Sequence, residues 1–132
     1  MIGNMSEEVL KAFIETIPIE FSMLDENNEV MCWNKHTTRI FRRPEGALGM
    51  NVKQCHPEKS LGKVEQIISE MKDGSRDKAR FWIDLGEGEA KRKVMIEYYA
   101  LRSSAGKYLG CLEASQDITD IKAIEGQKRI LD

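Results

Sequence analysis

The 132-residue chain predicts an α+β fold in which short helices cover one face of a five-stranded antiparallel sheet. Three observations carry that prediction. Two short apolar segments near the start are separated by strong turn chemistry. A mixed, glycine-broken passage and one clear helix follow. After Gly74 the apolar period then switches from that of a helix to that of a strand, and holds through three turn-linked segments.

The elements follow in order. Val9, Leu10, Phe13, Ile14 and Ile17 recur at helical spacing, with Ser6 as N-cap and Pro18 as the stop. Residues 20–24 and 29–34 read as strands, and Asp25-Glu26-Asn27-Asn28 between them predicts a hairpin. Residues 37–43 predict a short helix that stops before Pro44. Residues 44–49 are broken by glycine, and 51–60 predict an irregular or short helical passage. Over 61–72, Leu61, Val64, Ile67, Ile68 and Met71 share one helix face, and Asp73-Gly74 ends it.

Strand periodicity is then plain. Ala79, Phe81, Ile83 and Leu85 alternate with Lys78, Arg80, Trp82 and Asp84, and Val94, Ile96, Tyr98 and Ala100 alternate with Met95, Glu97, Tyr99 and Leu101. A last strand spans 108–116. The helix face over 61–71 must cover an apolar surface, and the sheet is the one large enough. Several short helical pieces over a sheet leave a cavity between the layers, a natural small-molecule site. The chain divides into an N-terminal flanking or dimerisation helix (1–18), a core (19–117) and an outgoing segment (118–132).

Composition narrows the function. With 41% hydrophobic and 32% charged residues the chain suits a well-solvated globular fold. No apolar run approaches the roughly 20 residues of a membrane span. The first residues lack the basic and apolar pattern of a secretory signal, so no membrane partner and a cytoplasmic location are expected. A net charge of −2 speaks against a nucleic-acid binder, and Lys91-Arg92-Lys93 reads as a solvated hairpin end beside Glu87 and Glu89. Cys32, Cys55 and Cys111 form no C-x-x-C pair, so neither a disulfide framework nor a zinc site is expected. No Ser/His/Asp set, metal-hydrolase spacing or phosphate-binding glycine loop is present, which points away from an enzyme.

Three passages resemble the PAS domain family across most of the chain. Trp33-Asn34-Lys35 is similar to the point where PAS domains place an Asn as the chain enters its first short helix. Ala47-Leu48-Gly49-Met50-Asn51-Val52 resembles the glycine passage before the ligand-facing helices, and Asp117-Ile118-Thr119 resembles the triplet that opens the outgoing helix. His36 stands where the family commonly has Ala. More narrowly, Arg39–Arg43 together with Cys55-His56-Pro57-Glu58-Lys59-Ser60 is similar to a PAS subgroup whose members sit beside a domain of unknown function and a hemerythrin-like domain.

The resemblance implies a sensory, signal-transducing module that binds a small molecule or cofactor, with a ligand-free dimerisation domain as the alternative. Flavin-adduct photochemistry needs a Cys directly after the Asn of Gly-x-Asn-Cys, and here Val52 follows Asn51. Haem is the cofactor that His56 brings in, since some PAS sensors bind it through a His; the alternative is a His bonded to local backbone at a helix start. Around it, Met50, Met71 and Met95 with Cys32, Cys55 and Cys111 could supply soft ligands, and Trp33, Trp82, Tyr98 and Tyr99 could stack on a planar group. Glu97 and Glu113 lie in largely apolar strands, so each either faces solvent or lines the pocket and selects a polar ligand. In the tail, Ile118, Ile121, Ile124 and Leu131 resemble an amphipathic stub. That stub either folds back on the sheet or serves as an output helix toward a second subunit, a homodimer, or a downstream domain.

Overall fold

The computed structural model describes residues 3–35 and 37–131, so the reading made at His36 lies outside the described residues. Ser6 caps helix α1 (Glu7–Thr16) through its side chain, which accepts the Val9 N–H. Strands β1 (Glu20–Asp25) and β2 (Val30–Trp33) form the expected hairpin. Asp25 Oδ1 closes its turn by accepting the N–H groups of Asn27 and Glu29. After Pro44 and a 3-10 turn (Glu45–Ala47) come the single-turn helix α2 (Val52–Cys55) and the long helix α3 (Glu58–Asp73). Strands β3 (Lys78–Leu85), β4 (Arg92–Arg102) and β5 (Tyr108–Asp117) complete the chain's regular structure.

All five strands join one antiparallel sheet in the order β2-β1-β5-β4-β3. The alternation read in the sequence sets its two faces. Val94, Ile96 and Tyr98 are buried on the inner face, against Val64, Ile68 and Met71 of α3 and Val52 of α2. Met71 is fully buried, a gain of about 1.5–3 kcal/mol for a side chain of its size. Gly74, at φ 86, ends α3 by sending its N–H back to Glu70 and Met71. On the opposite face α1 lies over β1 and β5, so helices flank both faces of the sheet; toward β3 the outer face is open and Trp82 is 63% exposed.

Two expected helices are not formed. Residues 37–43 are irregular, because side chains take the backbone groups a helix would use. The Glu20 carboxylate accepts the N–H groups of Ile40 and Phe41, and Arg39 Nε donates to the Phe41 carbonyl. In the tail a 3-10 turn (Ile121–Ala123) replaces the outgoing helix. Ile124 and Leu131 are 73% and 100% exposed, and a short helix with no surface against its apolar stripe does not hold by itself.

Candidate functional site

Sheet register assembles the site. Glu113 of β5 lies opposite Ser22 of β1 on one side and Tyr98 of β4 on the other, so one inner-face row reads Ser22–Glu113–Tyr98. The next row places Cys111 beside Leu24. Above these rows, α3 contributes Val64 and Ile68, β2 contributes Val30, and the end of α2 contributes Cys55 and His56. Arg43 closes the remaining side from the irregular segment before Pro44. Together these residues enclose a cavity of about 20 Å³, room for about one water molecule.

The polar groups around this cavity are poorly satisfied. Arg43 Nη2 approaches Glu113 Oε2 at 3.5 Å and Ser22 Oγ at 3.4 Å, both long contacts. Arg43 Nε and His56 Nδ1 are buried and have no hydrogen-bond partner among the described residues. Burial, helped by the nearby Glu113 carboxylate, raises the Tyr98 hydroxyl pKa, so it remains a neutral O–H. The same two causes push the Cys111 thiol up to about 12, which keeps it protonated and a poor nucleophile.

Beside the cavity sits a buried charged cluster. Arg39 Nη2 lies 3.6 Å from Glu20 Oε2, and both side chains are almost fully enclosed. Arg39 Nη1 also donates to the carbonyls of Phe21 and Asn34. Desolvation lowers the Arg39 pKa, and the Glu20 charge works against that shift.

The family model of the PAS domain matches residues 10–119. The chain belongs to the PAS domain family. The fold agrees: the C-terminal domain of a Streptococcus mutans protein superposes with a TM-score of 0.81 at 28% identity, covering 93% of this chain and 94% of that one. A sensory box sensor histidine kinase from Vibrio cholerae gives 0.58 at 13% identity, over 85% and 90% of the two chains. VqmA of the same genus, solved as a complex with ligand and DNA, gives 0.62 at 17% identity, over 89% of this chain and 53% of that one. No curated protein matches.

Of the residues singled out in the sequence, this PAS cavity gathers His56, Cys55 and Tyr98. Met71 is instead packed into the core beside it, and Trp33 ends β2 opposite Ser22 without lining the space. Haem does not fit: cofactor sites run to about 300–1,000 Å³, and the cavity holds about 20 Å³. No cluster of three His, Cys, Asp or Glu suited to a metal occurs among the described residues. The two strand carboxylates separate. Glu113 faces the cavity, whereas Glu97 lies on the outer face, bound by Arg80 and by the Tyr99 hydroxyl at 2.6 Å.

Sequence reasoning did not pick out Arg43 or Ser22 as site residues, whereas Cys111, read as one of several possible soft ligands, does line the cavity. Cys111 and Glu113 share a strand face by simple alternation, a signal that was present in the sequence. Arg43 carried none, because it reads as the last residue of a short helix before Pro44, and the irregular path that turns it to the cavity is not in the pattern.

The end of β5 is tied to β4. Asp117 Oδ2 pairs with Arg92 Nε at 2.7 Å, while Oδ1 accepts both the N–H and the hydroxyl of Thr119. Thr119 Oγ1 in turn accepts the Lys93 N–H. The Arg92 and Thr119 bonds hold the Asp117 carboxyl down to about 2. A carboxyl lowered by folding stabilises the fold above its unfolded pKa, and that contribution disappears as pH falls through the folded value. Stability should therefore fall between about pH 4 and pH 2, and Asp117→Asn should flatten that part of the profile. Urea midpoints taken across this range check it; an unchanged acid limb in the variant would exclude Asp117 as its source.

Proposed function

We propose that this PAS domain is a sensory module that takes a small molecule into the cavity between its sheet and helices α2 and α3. Occupancy is relayed along β5 to the segment after Asp117, and from there to a second copy of the chain, a downstream domain or a partner protein. One observation carries the reading: buried polar atoms of Arg43 and His56 lie without partners beside a cavity lined by Ser22, Tyr98 and Glu113 on one side and aliphatic side chains on the other. An unpaired buried polar group costs stability, and a bound water or ligand is one way to satisfy it. The cavity floor includes Cys111 and Glu113, and the same strand ends in the Asp117–Thr119 clasp, a continuity that supports a route from the floor to the exit. Sensing by the Vibrio kinase and ligand binding by VqmA, proteins of the same fold, support this direction. The acidic net charge supports a role without nucleic acid, and the sequence pattern supports a cytoplasmic, non-enzymatic module. No helix among the described residues is long and apolar enough to cross a membrane. The Cys-His-Pro-Glu-Lys-Ser string supports the subgroup found beside hemerythrin-like domains.

A second reading, a ligand-free dimerisation domain, draws on the outer face. There Leu10, Phe13, Ile17, Met23 and Leu112 line an apolar groove between α1 and the sheet, and Phe13 is 53% exposed. Native mass spectrometry of protein purified without additives separates the two. A bound small molecule, with slowed amide exchange in β5 when it is present, is the expected result. A dimer with an empty cavity and unaltered exchange would sink the sensory reading in favour of the second.

A further inference from the structure

We infer that the cavity selects a small, uncharged molecule carrying an N–H and a C=O on the same edge, as a cyclic amide does. Arg43 receives the carbonyl and Glu113 the N–H. The inference rests on the reading above that the cavity is a ligand site, and adds the ligand's class.

The charges set the first constraint. Arg43 and Glu113 face the cavity with side chains only 13% and 20% exposed, and their charges cancel. The neighbouring Arg39 and Glu20 cancel likewise. An anionic guest would bring its charge beside Glu113 and a cationic guest beside Arg43, each desolvated with one like charge at hand. A neutral guest avoids both costs.

Hydrogen-bond capacity sets the second. A relaxed pair of guanidinium and carboxylate closes to about 2.7–2.9 Å, yet here the groups stand 3.5 Å apart and Arg43 Nε has no acceptor. The stretched pair thus presents an open donor beside an under-used acceptor. A cis-amide edge offers the complement, a C=O and an N–H side by side, and would replace one weak contact with two charge-assisted bonds. The Tyr98 hydroxyl, held neutral, can add a donor to the same carbonyl. Leu24, Val30, Val64 and Ile68 make most of the rest of the wall, beside Ser22, Cys111 and the Cys55–His56 end of α2, so the remainder of the guest is aliphatic or flat and largely apolar.

Room comes from α2. The cavity is closed at about 20 Å³, and a ring of a few atoms needs the Cys55–His56 wall to move outward. That wall is the end of a single helical turn, anchored by Val52 in the core and by the Asn51–Gln54 capping box. It is the shortest of the α-helices among the described residues and has few bonds to break on moving.

Titration of nitrogen-15-labelled protein with 2-pyrrolidinone, followed by amide shifts, tests the inference. Cyclopentanone (same ring, no N–H), pyrrolidine (a cation at neutral pH) and propionate (an anion) serve as comparisons. Saturating shifts at Ser22, Cys111 and Glu113 are expected with 2-pyrrolidinone, at a Kd lower by about tenfold or more than for any comparison probe. In Glu113→Ala the advantage over cyclopentanone should vanish while both probes still bind. Equal binding of 2-pyrrolidinone and cyclopentanone to the unaltered protein overturns the ligand class, as does preference for either ion; in each case the ligand-site reading stands. If no probe saturates, the cavity holds water only and the inference falls, and the ligand-site reading falls with it only if the native mass spectrum is also empty.

Discussion

Replacing Arg39 by Met is expected to cost about 3–5 kcal/mol, the range for breaking a buried ion pair from one side. The guanidinium is 2% exposed and uses three of its nitrogens. Nε donates to Phe41 O at 2.8 Å, Nη1 donates to Phe21 O at 3.0 Å and Asn34 O at 2.7 Å, and Nη2 faces Glu20. Without it three carbonyls lose a donor and the Glu20 carboxylate keeps its charge in a buried site with only the Ile40 and Phe41 N–H groups to hold it. Arg39→Lys should rescue little, because one ammonium cannot reach carbonyls placed around a planar fork. Urea denaturation with an unchanged m-value measures the loss. A cost under about 1 kcal/mol would mean the cluster is solvated rather than buried. Since Arg39 organises the loop that carries Arg43, a destabilised cluster should also weaken ligand uptake.

How much of this was legible beforehand differs by element. The alternations through Ala79–Leu85 and Val94–Ala100 sorted the residues into two faces, since period two needs no knowledge of neighbours, but which face turns inward was set by packing: Ala79, Phe81, Val94, Ile96 and Tyr98 join the core while Ile83 is left exposed. The face of α3 was equally plain, because Val64, Ile68 and Met71 recur at helical spacing and are the residues buried. Asn34 was marked by family resemblance, but its bonds to residues 13–20 positions away could not be read from spacing. The same limit hid the site. Ser22, Tyr98 and Glu113 are brought together by β1–β5–β4 register and Arg43 by the irregular path of the segment before Pro44, and neither leaves a local trace. The segment 37–43 failed for a related reason: its helical pattern was real, and a distant carboxylate from β1 outbid it for the backbone N–H groups. The tail failed in the reverse way, with an apolar stripe that finds no surface within one copy of the described chain.

Asn34→Ala should cost about 3 kcal/mol, the sum expected when one carboxamide leaves several buried backbone groups unpaired. Asn34 is 1% exposed and makes three bonds. Its Oδ1 accepts the Phe21 N–H at 2.8 Å, and its Nδ2 donates to the carbonyls of Ile14 at 2.8 Å and Ile19 at 2.9 Å. Ile14 lies in the last turn of α1, where carbonyls lack partners within the helix. One side chain therefore closes the helix end, holds the turn through Pro18 and fixes the first residues of β1. Asn34→Asp gives the sharper test. A carboxylate keeps the acceptor for Phe21 but turns two donated bonds into contacts between oxygens, so at neutral pH it should be at least as damaging as Ala. The introduced carboxyl would be neutral more readily in the folded state than in the unfolded one, its pKa raised. Its penalty should thus shrink as pH falls toward about 4 and grow as pH rises from there to its folded pKa, above which it levels off. Amide exchange locates the damage: α1 and the start of β1 should exchange faster in both variants, with the β3–β4 ladder protected to the global limit. Uniform acceleration across the sheet would mean that Asn34 supports the whole core rather than the junction of α1 with β1, and that α1 is not a separately docked element on the outer face.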